Sequence, residues 1–325
     1  MNDRLLLAAI VVIGVPAALV GYITLAEGLL RLLPARAQPR LRPWLWLGPA
    51  LALLLFYLVY PTINTFVLSL QDRNSERFVG LANYGYVFTN PDVLIALRNN
   101  AIWIVFFTLL TVGFGLLIAV LADRVSYESA AKAVIFLPMA ISFVAAGVIW
   151  KFMYDYRPPG LPQTGTVNAL LSSVVPGFEP QPWLINQPGN NLALIVAAAW
   201  VWTGFCMVIL SAGLKGIPTE VLEAARVDGA NEWQVFWTVI FPMLGSTIAV
   251  VATTMIIFAL KAFDIVYVMT NGNFGTEVIA NRMYKELFNV RDFGRASAIA
   301  VILLLAIIPV MWFNLKRFRE QEAIR

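Results

Sequence analysis

Residues 223–242 read EAARVDGANEWQVFWTVIFP, a polar, helix-prone stretch between two apolar runs, about 192–214 and 243–264. Each run is long enough to cross a bilayer. A tether between two spans needs no capped helices, yet this one carries the signals for two. Pro218 suits the first turn of a helix, where its missing N–H costs nothing. Glu220 and Glu223 then sit near the positive end of the helix dipole. Val221, Leu222, Ala224, Ala225 and Val227 supply an apolar face of mostly small residues. Gly229 is placed for the left-handed turn that ends a helix. Asn231, with Gln234 three residues on, predicts a capping box at the start of a second helix that runs into Pro242. The expected product is a rigid knob outside the membrane. By physics alone it is either a docking surface or an amphipathic helix lying on lipid.

The rest of the chain agrees with a membrane setting. Its 325 residues are 60% hydrophobic and 13% charged, with a mean hydropathy of +0.76. Seven runs are long enough to span: about 5–30, 44–68, 100–122, 132–153, 192–214, 243–264 and 296–313. The expected fold is therefore all-α, a polytopic membrane protein of about seven transmembrane helices. The net charge of +4 is modest and spread among loops, which excludes a nucleic-acid patch. A single cysteine, Cys206, excludes an intrachain disulfide, and the absence of histidine removes imidazole metal sites and proton relays. Ala35-Arg36-Ala37 has the look of a signal-peptide cleavage site. The run before it is long for a signal peptide and ends on Glu27 and Arg31, so an uncleaved span is favoured.

Span parity places residues 31–42, the 123–132 turn, the 215–242 loop and the C-terminus on one side. That side carries Arg31, Arg36, Arg40, Arg42, Arg124, Lys132, Lys215, Arg226, Lys316, Arg317, Arg319 and Arg325. The other eleven Lys and Arg are spread over longer loops, which count little in the positive-inside rule. The compact Arg-rich side is read as cytoplasmic, with the N-terminus outside. Three sizeable segments then lie outside, about 69–99, 154–191 and 265–295. The middle one is stiffened by Pro158, Pro159, Pro162, Pro176, Pro180, Pro182 and Pro188.

The loop resembles the EAA loop of ABC importer permeases. Glu223-Ala224-Ala225, three residues, Gly229, and then Pro242 fall in that register, with Val239 and Phe241 where the family has Ile and Leu. Asp228-Gly229-Ala230 resembles the carbohydrate-permease version. Phe78-Val79-Gly80-Leu81-Ala82-Asn83-Tyr84, Leu260-Lys261-Ala262-Phe263-Asp264 and Asp292-Phe293-Gly294 resemble further sugar-permease segments. The resemblance covers 44–325 and implies a type I ABC importer fold: a six-helix core (44–325) preceded by an extra helix and Arg-rich turn (1–43). It also implies partners: a second permease in a heterodimer, a dimer of ATPase subunits, and an extracytoplasmic solute-binding protein, all at a bacterial inner membrane. Glu223, Ala224, Ala225, Asp228, Gly229 and Pro242 would couple to the ATPase. No Gly-x-x-x-x-Gly-Lys-Ser/Thr loop is present. ATP and Mg would therefore sit on the partner, and this chain would be non-catalytic.

Depth along the spans bears on the solute. At 1.5 Å per residue Lys261 lies about 28 Å beyond Pro242, and Lys151 a similar distance beyond Lys132, so both reach an interface. Asp264, one turn from Lys261, is placed to pair with it. No charge is left at mid-depth, where one would mark an ion or proton pathway. The neutral polar groups there are Tyr57, Thr108, Thr111, Ser142, Trp202, Thr203, Thr253 and Thr254. They suit a polyhydroxylated solute, or else bond their own helix backbone. The resemblance to maltose-type permeases places Trp202 and Phe205 of the fifth span, and Ala259 and Ala262 of the sixth, at solute-facing positions. Thr203, Thr254 and Phe258 complete that expected pathway. Methyl groups at 259 and 262, where the family can place amides, disfavour maltose itself. The expected solute is a di- or oligosaccharide or a glycoside. Rival readings are an ABC permease for glycerol-3-phosphate or polyamine, an ion-coupled secondary transporter, which lacks the carboxylates it needs, and a non-transport scaffold, which leaves the EAA spacing unexplained.

Overall fold

The structure is a computed structural model describing residues 2–123 and 125–322. Arg124 and Arg325, counted above in the charge balance, lie outside the described residues, as do the side chains of Arg317 and Arg319. The described residues are helical and contain no strand beyond one isolated Gln71–Phe78 bridge. Among the described residues five helices are long and apolar enough to cross a membrane, or up to seven spans if each of two bent pairs is one span.

The chain divides into two units, Met1–Thr65 and Phe66–Arg325. This boundary falls inside the second span. The first unit is a hairpin of α1 (Asn2–Arg31) and the start of α2 (Gln38–Ser69). Tyr22 donates to the Leu45 carbonyl, and Arg42 pairs with Glu27 at 2.9 Å.

In the second unit, α3 (Ala82–Thr89) leads into α4 (Pro91–Ala122), whose N-cap is Asn90. The expected 132–153 span is not one rod. It is α5 (Glu128–Ala140) and α6 (Phe143–Met153), bent by 101°. Pro138 tightens the end of α5 into a 3-10 turn, Ile141 is extended, and Ser142 caps α6 by accepting from Ala145 N. Distance along the sequence therefore does not measure the depth of Lys151. After α7 (Thr166–Val174), α8 (Gly189–Lys215) is the central span and buries the most residues. It packs on α4 where Gly115 leaves no room for a side chain: a Cβ there would stand 2.7 Å from that of Cys206. Gly204 of α8 does the same against the Ile135 backbone of α5, with a Cβ 2.7 Å from its carbonyl oxygen. Small residues give membrane helices this close van der Waals contact, since lipid offers no hydrophobic drive to associate.

The loop forms α9 (Thr219–Val227) and α10 (Glu232–Met243), followed by α11 (Gly245–Leu260), bent 68° from α10. The helix ends at Leu260, short of the expected 264. Phe263, at φ −144° and ψ −65°, redirects the chain into α12 (Asp264–Met269). Lys261 and Asp264 are thus no longer one helical turn apart, and among the described residues no ion pair joins them.

The 265–295 segment is not an open loop. It holds α12, a turn with Asn271, Gly272, Phe274 and Gly275 all left-handed, and α13 (Ile279–Tyr284) continuing as π-helix to Val290. Side-chain amides bind it to the spans. Asn99 donates to the carbonyls of Gly275 at 2.7 Å and Glu277 at 2.8 Å. Asn190 donates to that of Phe274 at 2.8 Å. Asn100 accepts from Ile279 N at 2.8 Å. Glu277, 6% exposed, is neutralised by Lys285 at 2.7 Å, and Glu286, 1% exposed, by Arg282 at 2.6 Å. A buried carboxylate needs such a partner. The last span is α14 (Phe293–Glu322).

Candidate functional site

The knob takes the predicted form with one shift. Pro218 is the N-cap residue of α9 rather than its first helical residue. At the other end Gly229 has φ +86°, Gly229 N donates to Arg226 O at 3.0 Å, and Ala230 N donates to Ala225 O at 3.1 Å. This is the paired arrangement of a Schellman motif, which only a residue at ease with positive φ can close. Asn231 and Gln234 form both halves of the capping box, at 2.9 and 2.8 Å. Arg226 donates to Glu232 at 2.8 Å and clips α9 to α10. That hydrogen bond raises the guanidinium further above its ordinary value.

The apolar face of α9 divides. Leu222 and Ala225 pack inward on Leu214, Ile217, Val235, Ile240 and Leu244. Glu223, Ala224, Val227, Asp228 and Gly229 are exposed, Val227 at 86%. The outer side of α9, away from that cluster, thus carries Ala224 and Val227 among carboxylates. Pro242, also exposed, lies just before the bend into α11. The knob thus rests on the end of α8, through Leu214, and the start of α11, through Leu244.

Those two helices carry the cavity. Trp202 of α8, 8% exposed, lies with ring centroids 3.8 Å from Phe258, 5.8 Å from Phe143 and 5.6 Å from Phe205. Trp202, Phe258 and Ala262 line a cavity of about 70 Å³ with Trp103, Phe107 and Phe143, and Lys261 and Asp264 also border it. That volume is too small for a sugar ring. Phe205 supports Trp202 from behind the wall. Three other expected residues are not brought to the cavity. Thr203 lies on another face of α8 and donates to Ala199 O at 2.7 Å. Thr254 donates to Val250 O at 2.9 Å. Ala259 is 1% exposed, and its carbonyl accepts from Asn100 at 3.2 Å. The hydroxyls of Thr111 and Thr253 likewise bond their own helices.

Trp103, 2% exposed, was not among the expected residues. Among the described residues its indole Nε1 has no hydrogen-bond partner, a cost of about 1–3 kcal/mol for a buried donor. Nothing in its spacing separates it from the other rings of an all-apolar run. Phe143 was hidden by the unforeseen break before α6, and Lys261 and Asp264 by their assignment to each other.

The family described as "Binding-protein-dependent transport system inner membrane component" matches residues 112–315. The osmoprotective compounds uptake permease protein GgtC of Synechocystis sp. is 57% identical over 281 residues, covering 86% of this chain and all of the relative. The alpha-glucoside transport system permease protein AglF of Rhizobium meliloti is 48% identical over 288 residues, covering 88% of this chain and 85% of the relative. A bacterial ABC transporter chain involved in the import of the acidic polysaccharide alginate superposes with a TM-score of 0.72 at 22% identity, over 87% of this chain and 99% of that one. This last likeness shows the fold. With the match to its core and the close relatives along most of its length, the chain belongs to the family of inner membrane components of binding-protein-dependent transport systems.

Proposed function

We propose that the chain is one of two permease subunits enclosing the pathway of an ATP-driven importer for a di- or oligosaccharide or a glycoside. The observation that carries this reading is the ring-walled cavity with an unpartnered indole N–H, joined to an exposed knob through two helices. Aromatic faces match the C–H surfaces of a sugar, and the free Trp103 N–H offers a hydroxyl one hydrogen bond. Support also comes from relatives named for alpha-glucosides and osmoprotective compounds. In this reading an external binding protein delivers the solute, and a separate ATPase dimer holds ATP and Mg and performs the hydrolysis. The 215–242 loop then faces the cytoplasm with the C-terminus, and the N-terminus lies outside. Residues 1–43 act as an addition to a core of 44–325.

Movement of the docked knob reaches the cavity by packing. Leu222 and Ala225 press on Leu214 and Leu244. A push there displaces α8, which carries Trp202, and α11, which carries Phe258. The cavity opens when those two rings part. Glu223, Ala224, Asp228, Gly229 and Pro242 stay on the docking side throughout.

The reading is tested by uptake in proteoliposomes containing both permeases, the ATPase and the binding protein. Saturable, ATP-dependent uptake of a labelled alpha-glucoside is expected. Uptake of glycerol-3-phosphate or a polyamine in its place would move the solute to the rival class, and uptake driven by an ion gradient without ATP would overturn the importer reading.

A further inference from the structure

The second helix of the loop carries a feature that docking by α9 does not use. Trp233, Trp237 and Phe241 recur at every fourth residue of α10 and form one continuous stripe, with ring centroids 5.7 and 5.0 Å apart. They are 71%, 46% and 37% exposed. The orientation is fixed from behind, because Val235 and Ile240 of the same helix are buried against Leu214, Ile217 and Leu244. Among the described residues no protein acceptor meets either indole N–H.

We propose that this stripe is an anchor in the interfacial layer of the bilayer, with phospholipid ester and headgroup oxygens accepting from the two indoles. Four observations favour lipid over a protein partner. First, the stripe leads through Met243, itself 44% exposed, directly into α11, which belongs to a candidate span by length and composition. Secondly, α10 leaves α11 at 68°, so it does not simply continue the span into water. Thirdly, the apolar strip is one ring wide and flanked by exposed Glu232, Gln234 and Thr238, the profile of a helix sunk to half its depth. Fourthly, Trp is the residue type whose ring suits the apolar side of the headgroup layer and whose N–H suits the polar side. The Arg226–Glu232 clip and the Schellman turn make α9 and α10 one body. The depth of the stripe therefore sets how far the docking helix stands above the membrane. The inference rests on the chain spanning a bilayer and is independent of which solute it carries.

The test uses the full transporter in nanodiscs of phosphatidylcholine and phosphatidylglycerol, with acyl chains brominated either near the ester carbonyls or near the chain ends. Emission from the two indoles is isolated by subtracting the Trp233→Phe, Trp237→Phe double variant, which keeps aromatic rings at both positions. Quenching of this difference emission about twofold stronger by carbonyl-proximal bromine than by chain-end bromine is expected. No quenching, as for rings in water or beneath a second protein chain, overturns the proposal, and so does equal or stronger quenching by chain-end bromine. If the double variant fails to assemble, spin labels at 233 and 237 give the depth directly. A headgroup-level depth supports the anchor, and exposure to water or shielding from both phases refutes it.

Discussion

Gly229 shows how much one residue decides. A Cβ at this position meets nothing within 4 Å, so a side chain has room, and the obstacle is the backbone at φ +86°. Gly229→Ala is expected to cost about 1–2 kcal/mol, felt in the turn alone. ATP-driven uptake should fall severalfold while hydrolysis continues, read as solute imported per ATP consumed. Trp103 offers a cleaner probe of the cavity than Trp202. Trp202→Ala would remove a buried ring at about 3–5 kcal/mol and confuse folding with selectivity. Trp103→Phe keeps a six-membered ring and removes the orphan N–H with the five-membered part of the indole, so relief of the unsatisfied donor, about 1–3 kcal/mol, offsets the packing lost. Its expected effect is unchanged thermal stability and a weaker apparent affinity for a sugar, about tenfold if one hydrogen bond is lost. Unchanged affinity would remove Trp103 from solute contact. Cys206, fully buried where α4 crosses α8, should resist maleimide in the folded protein and react only after denaturation in detergent.

At the level of elements, local signals were legible where they are made of backbone rules. Gly229, Asn231 and Gln234 each do what their type and spacing imply, because capping is settled within four residues. Asn231→Ala should cost about 1 kcal/mol and speed hydrogen exchange at the Gln234 amide. The bend of α5 into α6 was not legible, although Pro138 stands beside it. An apolar run reads the same whether straight or folded back, and the break shows only when Ser142 is seen capping a new helix. The packing of 265–295 was equally hidden. Its polar residues look like a solvated loop until Asn99, Asn100 and Asn190, far apart from it in sequence, are seen to hold its carbonyls and amides. Asn99→Ala would strand the carbonyls of Gly275 and Glu277, and a stability loss of about 2–4 kcal/mol is expected from thermal unfolding of the detergent-purified protein.

Across the whole molecule, the number of spans and the character of the loop follow from hydropathy and spacing. The shape of the cavity does not, because its walls come from α4, α6, α8, α11 and α12 and depend on how those helices cross. Thr203, Thr254 and Ala259 do not line it for that reason: depth along a helix could be counted, but the face it presents could not. What unites the molecule is the route from knob to cavity. An exposed helix rests on a small apolar cluster, and the two spans that meet there carry the rings. Ala224 tests that route without disturbing it, since it is exposed and touches none of the buried cluster. The decisive measurement is ATP-driven uptake of a labelled alpha-glucoside by the reconstituted transporter bearing Ala224→Trp. A bulky ring on the docking face should abolish uptake and release the ATPase while the chain stays inserted and folded. Full uptake with the ATPase still bound would contradict the assignment of this loop as the coupling surface.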